Sequence, residues 1–164
     1  MVKKTIIPIV ATAAFITAVG LLVRNPSIMA PLETPTTPVQ STVIINEKDI
    51  SVTLAETSEE REKGLSGVSS LEENSGMLFI FDEESVAPKF WMKNMLIPLD
   101  IVWINDSKII KIDKNVPIPL PDTSDDKIKT YSPNTEVDYV LEVNAGFCDS
   151  NSIKVGDEVN ISGI

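Results

Sequence analysis

One run of eleven residues, FWMKNMLIPLD, begins at position 90 and holds the densest group of chemically capable side chains. Trp91 and Met92 offer a polarisable apolar wall. Lys93 and Asn94 offer hydrogen-bond donors, and Asp100 offers an acceptor. Small-ligand pockets are typically apolar with a few placed polar groups, so this run predicts a binding site. The competing interpretation is structural, with the tryptophan in the core and the polar residues shaping a turn.

Groups that usually carry catalysis are scarce in this chain. It has no histidine and a single cysteine, Cys148, so a Ser-His-Asp set and an intramolecular disulfide are both excluded. Without a histidine to activate it, Cys148 is more typical of a small packed residue than of a nucleophile. The composition therefore favours a function that is not enzymatic. The alternative is a hydrolase or lyase with Asp100 as general base and Lys93 as electrostatic stabiliser.

Metal ligands and cofactor motifs are also missing from the pattern. Met77, Met92 and Met95 have soft thioether groups, but without histidine or a second cysteine they are more typical of packing than of a copper site. The acidic runs at 59–60 and 82–84 lack the spacing of a calcium loop. No glycine-rich phosphate loop is present. The sequence predicts neither a metal nor a cofactor.

The charge of the chain limits its partners. The formal net charge is −10 at pH 7, and most of the acidic residues lie beyond residue 43. Such a surface repels phosphate backbones, so nucleic-acid binding is not expected. The sequence indicates no particular protein partner.

An apolar segment near the start of the chain predicts a membrane anchor over residues 1–24. Residues 5–23 carry no charge, and nineteen helical residues span about 30 Å, the thickness of the hydrocarbon core. Lys3 and Lys4 outweigh Arg24, which predicts a cytoplasmic N-terminus and an extracytoplasmic body. The alternative is a secreted protein whose signal peptide is cleaved; both interpretations put the body outside the cytoplasm.

Residues 25–42 separate this segment from the body. They contain four prolines among Thr, Ser and Gln, which predicts a semi-extended linker. The soluble domain is then expected over residues 43–164.

Short apolar runs separated by turns predict about seven strands in the body. Thr57 and Glu60 have the spacing of a capping box, which predicts a short helix that ends near Gly64. Residues 113–136 are polar and proline-containing and predict a long loop. Apolar and polar residues alternate over 137–144, which predicts a strand with Glu142 on its polar face. The fold class expected is mostly β (α+β), a small barrel-like domain with one or two short helices, preceded by a single transmembrane helix.

The order of several motifs resembles the family known as domain of unknown function 192, over about residues 43–163. The motifs that carry the resemblance are Arg61 with Gly64-Leu65, Gly76-Met77-Leu78-Phe79 with Phe81, Phe90 to Asn94, Ile97 to Asp100, Tyr139 to Glu142 with Asn144-Ala145-Gly146, and Gly156-Asp157. The block Trp-Met-Lys-Asn followed by Pro-Leu-Asp is the most specific of them.

The resemblance implies a small β-rich, barrel-like domain, often secreted or behind one N-terminal anchor, and it implies no established activity. It also marks a shared set of candidate ligand-binding residues: Arg61, Trp91, Met92, Lys93, Asn94, Asp100 and Asn144. The chain departs from the family at Met95, where a small polar residue is expected. It also lacks a cysteine in the 113–136 loop that many members carry.

These observations favour an extracytoplasmic module that binds a polar or anionic small ligand without catalysis. Arg61, Lys93 and Asn94 are the expected donors to that ligand, and Trp91 is the expected stacking face. Besides the hydrolase or lyase, a protein-interaction or assembly subunit remains an alternative. It predicts an exposed apolar patch at Trp91 instead of a concavity.

Overall fold

A computed structural model describes residues 41–81 and 87–164 of the chain. The predicted anchor, and the predicted linker up to residue 40, lie outside the described residues. Within the two described ranges, no helix has the length and apolar character of a membrane span.

The described residues form mostly β structure, as predicted. The strands are β1 Ser41–Ile45, β2 Lys48–Ala55, β3 Ser75–Ile80, β4 Phe90–Trp91, β5 Leu99–Asn105, β6 Lys108–Val116, β7 Thr130–Tyr131, β8 Tyr139–Asn144 and β9 Val159–Ser162. The helices are α1 Ser58–Lys63 and α2 Phe147–Ser150, with a 3-10 turn at Asp125–Lys127.

Seven of these strands make one sheet in the order β6-β5-β8-β3-β2-β1-β9. Neighbours are antiparallel except β2 and β3, which run parallel. The sheet curls until its two edges touch at one end. There Val159 N–H donates to the Ser107 carbonyl over 2.9 Å, and Gly156 N–H donates to the Ile109 carbonyl over 2.8 Å. The predicted barrel-like β fold is therefore confirmed.

The central strands are buried on both faces. One apolar cluster fills the inside of the curl and includes Val52, Leu78 and Leu141. A second cluster lies on the opposite face and includes Phe79, Trp103 and Val140. Segments between the strands cover this second face, since residues such as Leu65, Met95 and Val137 belong to the same cluster.

Two predictions are wrong, one because of burial and one because of strand pairing. Glu142 was expected on a solvated face of β8, but its exposed fraction is 5% because the second cluster covers that face. The loop predicted over 113–136 begins later, because β6 continues to Val116 by pairing with β5. The loop also contains the 3-10 turn and the short strand β7, which pairs with β4.

Helix α1 forms as its sequence predicts. The Thr57 hydroxyl accepts the Glu60 N–H at 3.2 Å, and the Glu60 carboxylate accepts the Thr57 N–H at 2.9 Å. The helix ends at Gly64, whose φ of 47° and ψ of −138° form a combination that glycine adopts without strain. This helix and the turn after it form one side of the cleft described next.

Candidate functional site

A cleft of about 240 Å³ opens over the second face of the sheet. One side is α1 with the turn that follows it, and the other side is the segment 88–95 that contains β4. The floor is made by Phe79 and Glu142 from the adjacent strands β3 and β8. The cleft is therefore built on the rigid centre of the sheet.

Aromatic rings form much of its wall, and Phe90 lies at their centre. The Phe90 ring meets the Phe79 ring edge-on, with centroids 4.8 Å apart. It makes similar contacts with Trp103 at 5.4 Å and Phe81 at 6.5 Å. Edge-to-face contacts of this kind add stability beyond area burial, so the wall has a fixed shape.

Glu142 places a carboxyl group at the floor of this otherwise apolar region. Its cross-strand neighbours are Met77 on β3 and Ile101 on β5. Among the residues that the structure describes, no side chain or amide hydrogen-bonds to the Glu142 carboxyl group. Burial raises the pKa of Glu142 to about 8, because the charged form cannot be hydrated there. Burial therefore favours the protonated form of this group at neutral pH.

A glycine on β3 allows the strand of Glu142 to sit this close. A Cβ atom at Gly76 would lie only 2.3 Å from the Glu142 carbonyl oxygen and 3.0 Å from a Val143 methyl carbon. Any side chain at this position would push β8 away from β3, so Gly76 fixes the depth of the cleft floor.

Arg61 lines the cleft, but several of its donors are already engaged. One terminal nitrogen, Nη1, donates to the Glu56 carbonyl and, over 3.0 Å, to the Ile80 carbonyl. The guanidinium also lies 5.4 Å from the centre of the Phe81 ring. Arg61 thereby ties α1 to the end of β3 and holds the aromatic wall.

Trp91 and Lys93 form the opposite lip of the cleft. Trp91 is 43% exposed, which is unusual for so large an apolar side chain. The Lys93 ammonium lies 5.1 Å from the centre of the indole and 2.5 Å from the Asp125 carboxylate. This ion pair joins the lip to the 3-10 turn of the neighbouring loop.

The remaining four predicted residues do not meet in the cleft. Met92 is only 2% exposed and packs in the second cluster. Asn94 adopts a left-handed conformation with φ of 58°, and its carbonyl accepts the Gly67 N–H at 3.0 Å. The Asn144 amide donates to the carbonyls of Leu71 and Glu72, at 3.3 and 3.0 Å.

Asp100 is fully buried and works as a backbone acceptor. Its carboxylate accepts the N–H groups of Asn115 at 2.7 Å, Gly146 at 3.2 Å and Cys148 at 2.9 Å. It does not line the cleft, so Arg61, Trp91 and Lys93 are the predicted residues that the structure brings together there.

Glu142 was not among the site residues predicted from the sequence. A strand with one apolar and one polar face normally exposes the polar face, so the alternation over 137–144 pointed away from the core. The burial of Glu142 could have been inferred from the strand β5. Its nearly continuous apolar run is typical of a strand that is buried on both faces, and a strand beside it would then be covered as well.

Cys148 is buried, as its surroundings in the sequence indicated. Burial, with the nearby Asp100 carboxylate, raises the pKa of its thiol to about 12. Within residues 41–81 and 87–164, no three acidic or cysteine side chains converge as a metal site would require.

A family model described as uncharacterized ACR, DUF192, matches residues 39–161. No curated protein shows significant similarity to the chain.

Two crystal structures share the fold. One is of a Sinorhizobium meliloti protein that is provisionally described as a transcription regulator; it is 29% identical, with a TM-score of 0.67 over 76% of this chain and 95% of that chain. The other is a protein of unknown function from Novosphingobium aromaticivorans, 28% identical, with a TM-score of 0.67 over 80% of this chain and 92% of that chain.

Proposed function

The chain belongs to the uncharacterised DUF192 family, and from that premise we propose that its domain binds a small, ring-bearing anion in the cleft. The observation that carries this proposal is the cleft itself. An aromatic wall and a cationic mouth converge on a buried polar floor, the composition expected of a small-molecule site.

The size of the cleft limits the ligand. Sites for drug-sized ligands usually have volumes of roughly 300–1,000 Å³. At about 240 Å³, this cleft lies below that range. It therefore suits a molecule with one ring and a short substituent.

The aromatic wall favours a flat or cyclic ligand. Phe79, Phe81 and Phe90 hold one another in fixed orientations, and Trp91 leaves nearly half of its surface uncovered at the lip. An exposed indole beside a cavity offers a face on which a ring of the ligand can stack.

The charges at the mouth favour an anion. Lys63 and Lys89 lie at the exposed edge of the cleft, beside Arg61 and Lys93. Two described carboxylates oppose these cations: the exposed Glu62 and Asp125, which is paired with Lys93. Burial favours the neutral form of Glu142, so Arg61, Lys63 and Lys89 still outnumber the unpaired carboxylate of Glu62. This local excess of cations stands out in a chain of net charge −10 and would draw anions inward.

The alternatives fit the geometry less well. Asp100 would have to leave three backbone N–H groups unsatisfied to act as a general base, so a hydrolase or lyase that uses it is not favoured. An assembly subunit was expected to present a flat apolar patch at Trp91, whereas Trp91 borders a cleft.

The location of the domain is part of the proposal. We propose that residues 5–23 hold the protein in the membrane with the domain outside the cytoplasm. The support is the uncharged length of this segment and the lysines that precede it.

Three molecules of matched size and different charge test the proposed binding: benzoate, benzamide and benzylamine. We expect benzoate to bind most tightly at about pH 6.5 and benzylamine most weakly, because the mouth is cationic. Trp91 fluorescence would report binding, and isothermal titration calorimetry would measure it independently.

Matched variants locate the site. Lys89→Gln at the mouth should weaken benzoate binding several-fold, whereas Lys154→Gln, which removes a cation ion-paired with Asp157, should not. Trp91→Phe should remove the fluorescence response, because the other tryptophan, Trp103, is fully buried. Absence of saturable binding by all three molecules up to millimolar concentration would overturn the proposal.

A further inference from the structure

The carboxyl group of Glu142 is the one polar side chain of the cleft floor in the described part of the chain. We propose that Glu142, in its protonated form, recognises the ligand by donating a hydrogen bond to an acceptor atom. The ligand class is then an anionic ring molecule with an acceptor, such as a ring nitrogen or carbonyl, away from its anionic group. This inference rests on the proposed binding function and adds the ligand feature that the floor of the same site selects, a hydrogen-bond acceptor.

The geometry leaves the Glu142 carboxyl group only one direction in which to find a partner. Met77 and Ile101 flank it within the sheet, and Val140 packs on the same face of β8. Glu142 lines the cleft and is only 5% exposed as a residue, and its carboxyl group has no hydrogen-bond partner among the described residues. Polar groups set this deeply are nearly always paired with protein, water or ligand. The Glu142 oxygens are not sealed off from the cleft, so a ligand atom there can reach them.

The charged groups around the cleft do not neutralise a Glu142 carboxylate. From α1, Arg61 is bound to backbone carbonyls, while Glu62 and Lys63 lie at the exposed edge. From the segment 88–95, Lys93 is paired with Asp125 and Lys89 is exposed. Met77 and Ile101, the neighbours on the adjacent strands, are apolar. Farther along the same face, Lys111 and Asp113 of β6 are paired with each other over 2.8 Å. Burial is therefore the cause that raises the pKa of Glu142 to about 8.

A protonated carboxyl group reads a ligand differently from a charged one. Its O–H donates to an acceptor, and at neutral charge it does not repel an anion held at the mouth. A carboxylate at the same place would demand a donor and would repel the anion. The floor and the mouth of the cleft can therefore bind the same anionic ligand only while Glu142 is protonated.

Binding should then be linked to pH in a defined direction. Below about pH 8 the free protein already carries the proton, so affinity is constant. Above that value the proton must be taken up on binding, and affinity falls about tenfold for each further pH unit. A ligand that accepts the hydrogen bond raises the pKa of Glu142 further, so proton uptake near pH 8 accompanies binding.

Pyridine carboxylates and benzoate provide a matched test, because they differ only by a ring nitrogen that accepts a hydrogen bond. The full-length protein would be titrated with 3- and 4-pyridinecarboxylate and with benzoate, between about pH 6.5 and 9.5. At the lower pH we expect at least one pyridine isomer to bind about tenfold more tightly than benzoate. This advantage should disappear as the pH rises above about 8.

Two variants at position 142 distinguish the effect of ionisation from the effect of the hydrogen-bond donor. Glu142→Gln keeps a donor that cannot ionise, so it should retain the preference for the pyridine ring and lose the decline above about pH 8. Glu142→Leu should lose the preference at every pH. Glu62→Gln, which removes the other lining carboxylate, should change neither property. If the leucine variant does not fold, the glutamine variant alone decides, since it is nearly isosteric.

The outcomes distinguish the inference from the function on which it rests. Failure of all three molecules to bind the unmodified protein would count against the binding function. Binding of benzoate and both pyridine isomers with equal affinity, or an affinity that is independent of pH, would overturn the role of Glu142 and leave the binding function standing.

Discussion

Glu142 is a single carboxyl group in the second core, and its ionisation is coupled to folding. Its pKa is about 8 in the folded chain against 4.5 for an ordinary glutamate, so the folded state holds a proton that the unfolded state releases between these values. Below about pH 4.5 both states are protonated, and above about pH 8 both are ionised. Stability therefore falls as pH rises through this window, by about 1.4 kcal/mol per unit.

Glu142→Gln removes this dependence and should stabilise the protein at high pH. The gain in the free energy of unfolding over the unmodified protein should be near zero at about pH 4.5 and grow to at most about 5 kcal/mol at about pH 8. Urea denaturation at about pH 4.5, 6 and 8 measures it. Glu62→Gln is the control, because this carboxyl is exposed and should show no such trend. A gain that is equal at all three pH values would contradict the assignment of the proton to Glu142.

Residue types alone allowed part of the site to be predicted. Trp91 and Lys93 are two residues apart on one lip, so local sequence predicted their proximity. Arg61 was predicted as a site residue from the family resemblance, because its position in the sequence gave no indication that it lies near Trp91 and Lys93. Glu142 lies about fifty residues further along the chain, and only the pairing of β8 with β3 and β5 brings it to the floor. Such long-range pairing is not encoded in any local pattern.

Asp100 connects three secondary-structure elements, β5, β6 and α2. From β5, its carboxylate accepts N–H groups from the end of β6 and from the start of α2. These contacts explain why a carboxylate follows Pro-Leu at this point of the signature block. In the block Trp-Met-Lys-Asn followed by Pro-Leu-Asp, Trp91 and Lys93 therefore line the cleft, whereas Asp100 stabilises the fold.

Asp100→Ala should destabilise the domain strongly without removing a cleft residue. Three amide groups lose their acceptor, and at about 1 kcal/mol or more each the free energy of unfolding should fall by about 3 kcal/mol. Thermal and urea denaturation measure the change. Asp125→Ala, which breaks an exposed ion pair, should cost less than about 1 kcal/mol. A small effect at Asp100 would reopen its interpretation as a functional group.

The elements that depend on neighbouring residues were predictable. The capping box of α1, for example, is set by side chains only three residues apart. The extent of β6 and the ribbon of β4 and β7 depend on partners far away in sequence, so the polar composition of 113–136 indicated only a loop.

At the scale of the whole molecule, the proposed location makes a separate prediction. A fusion of alkaline phosphatase after Ile164 should be active in cells and should sediment with membranes, since this enzyme folds only outside the cytoplasm. The same fusion without residues 5–23 should be inactive and soluble. Activity in the released fraction would support cleavage instead of an anchor. Activity of the deletion control would argue against the assignment of residues 5–23.

The order of the strands also bears on how copies of this domain behave at high concentration. One of the two edge strands of the sheet is β6, and three lysines, Lys108, Lys111 and Lys114, are spaced along it. Lys111 is paired with Asp113 and Lys114 with Asp149, so this edge is lined with charged groups, and charged side chains on an exposed edge oppose the addition of a strand from another copy. The charged side chains of β6 therefore protect this edge of the curled sheet against pairing between copies.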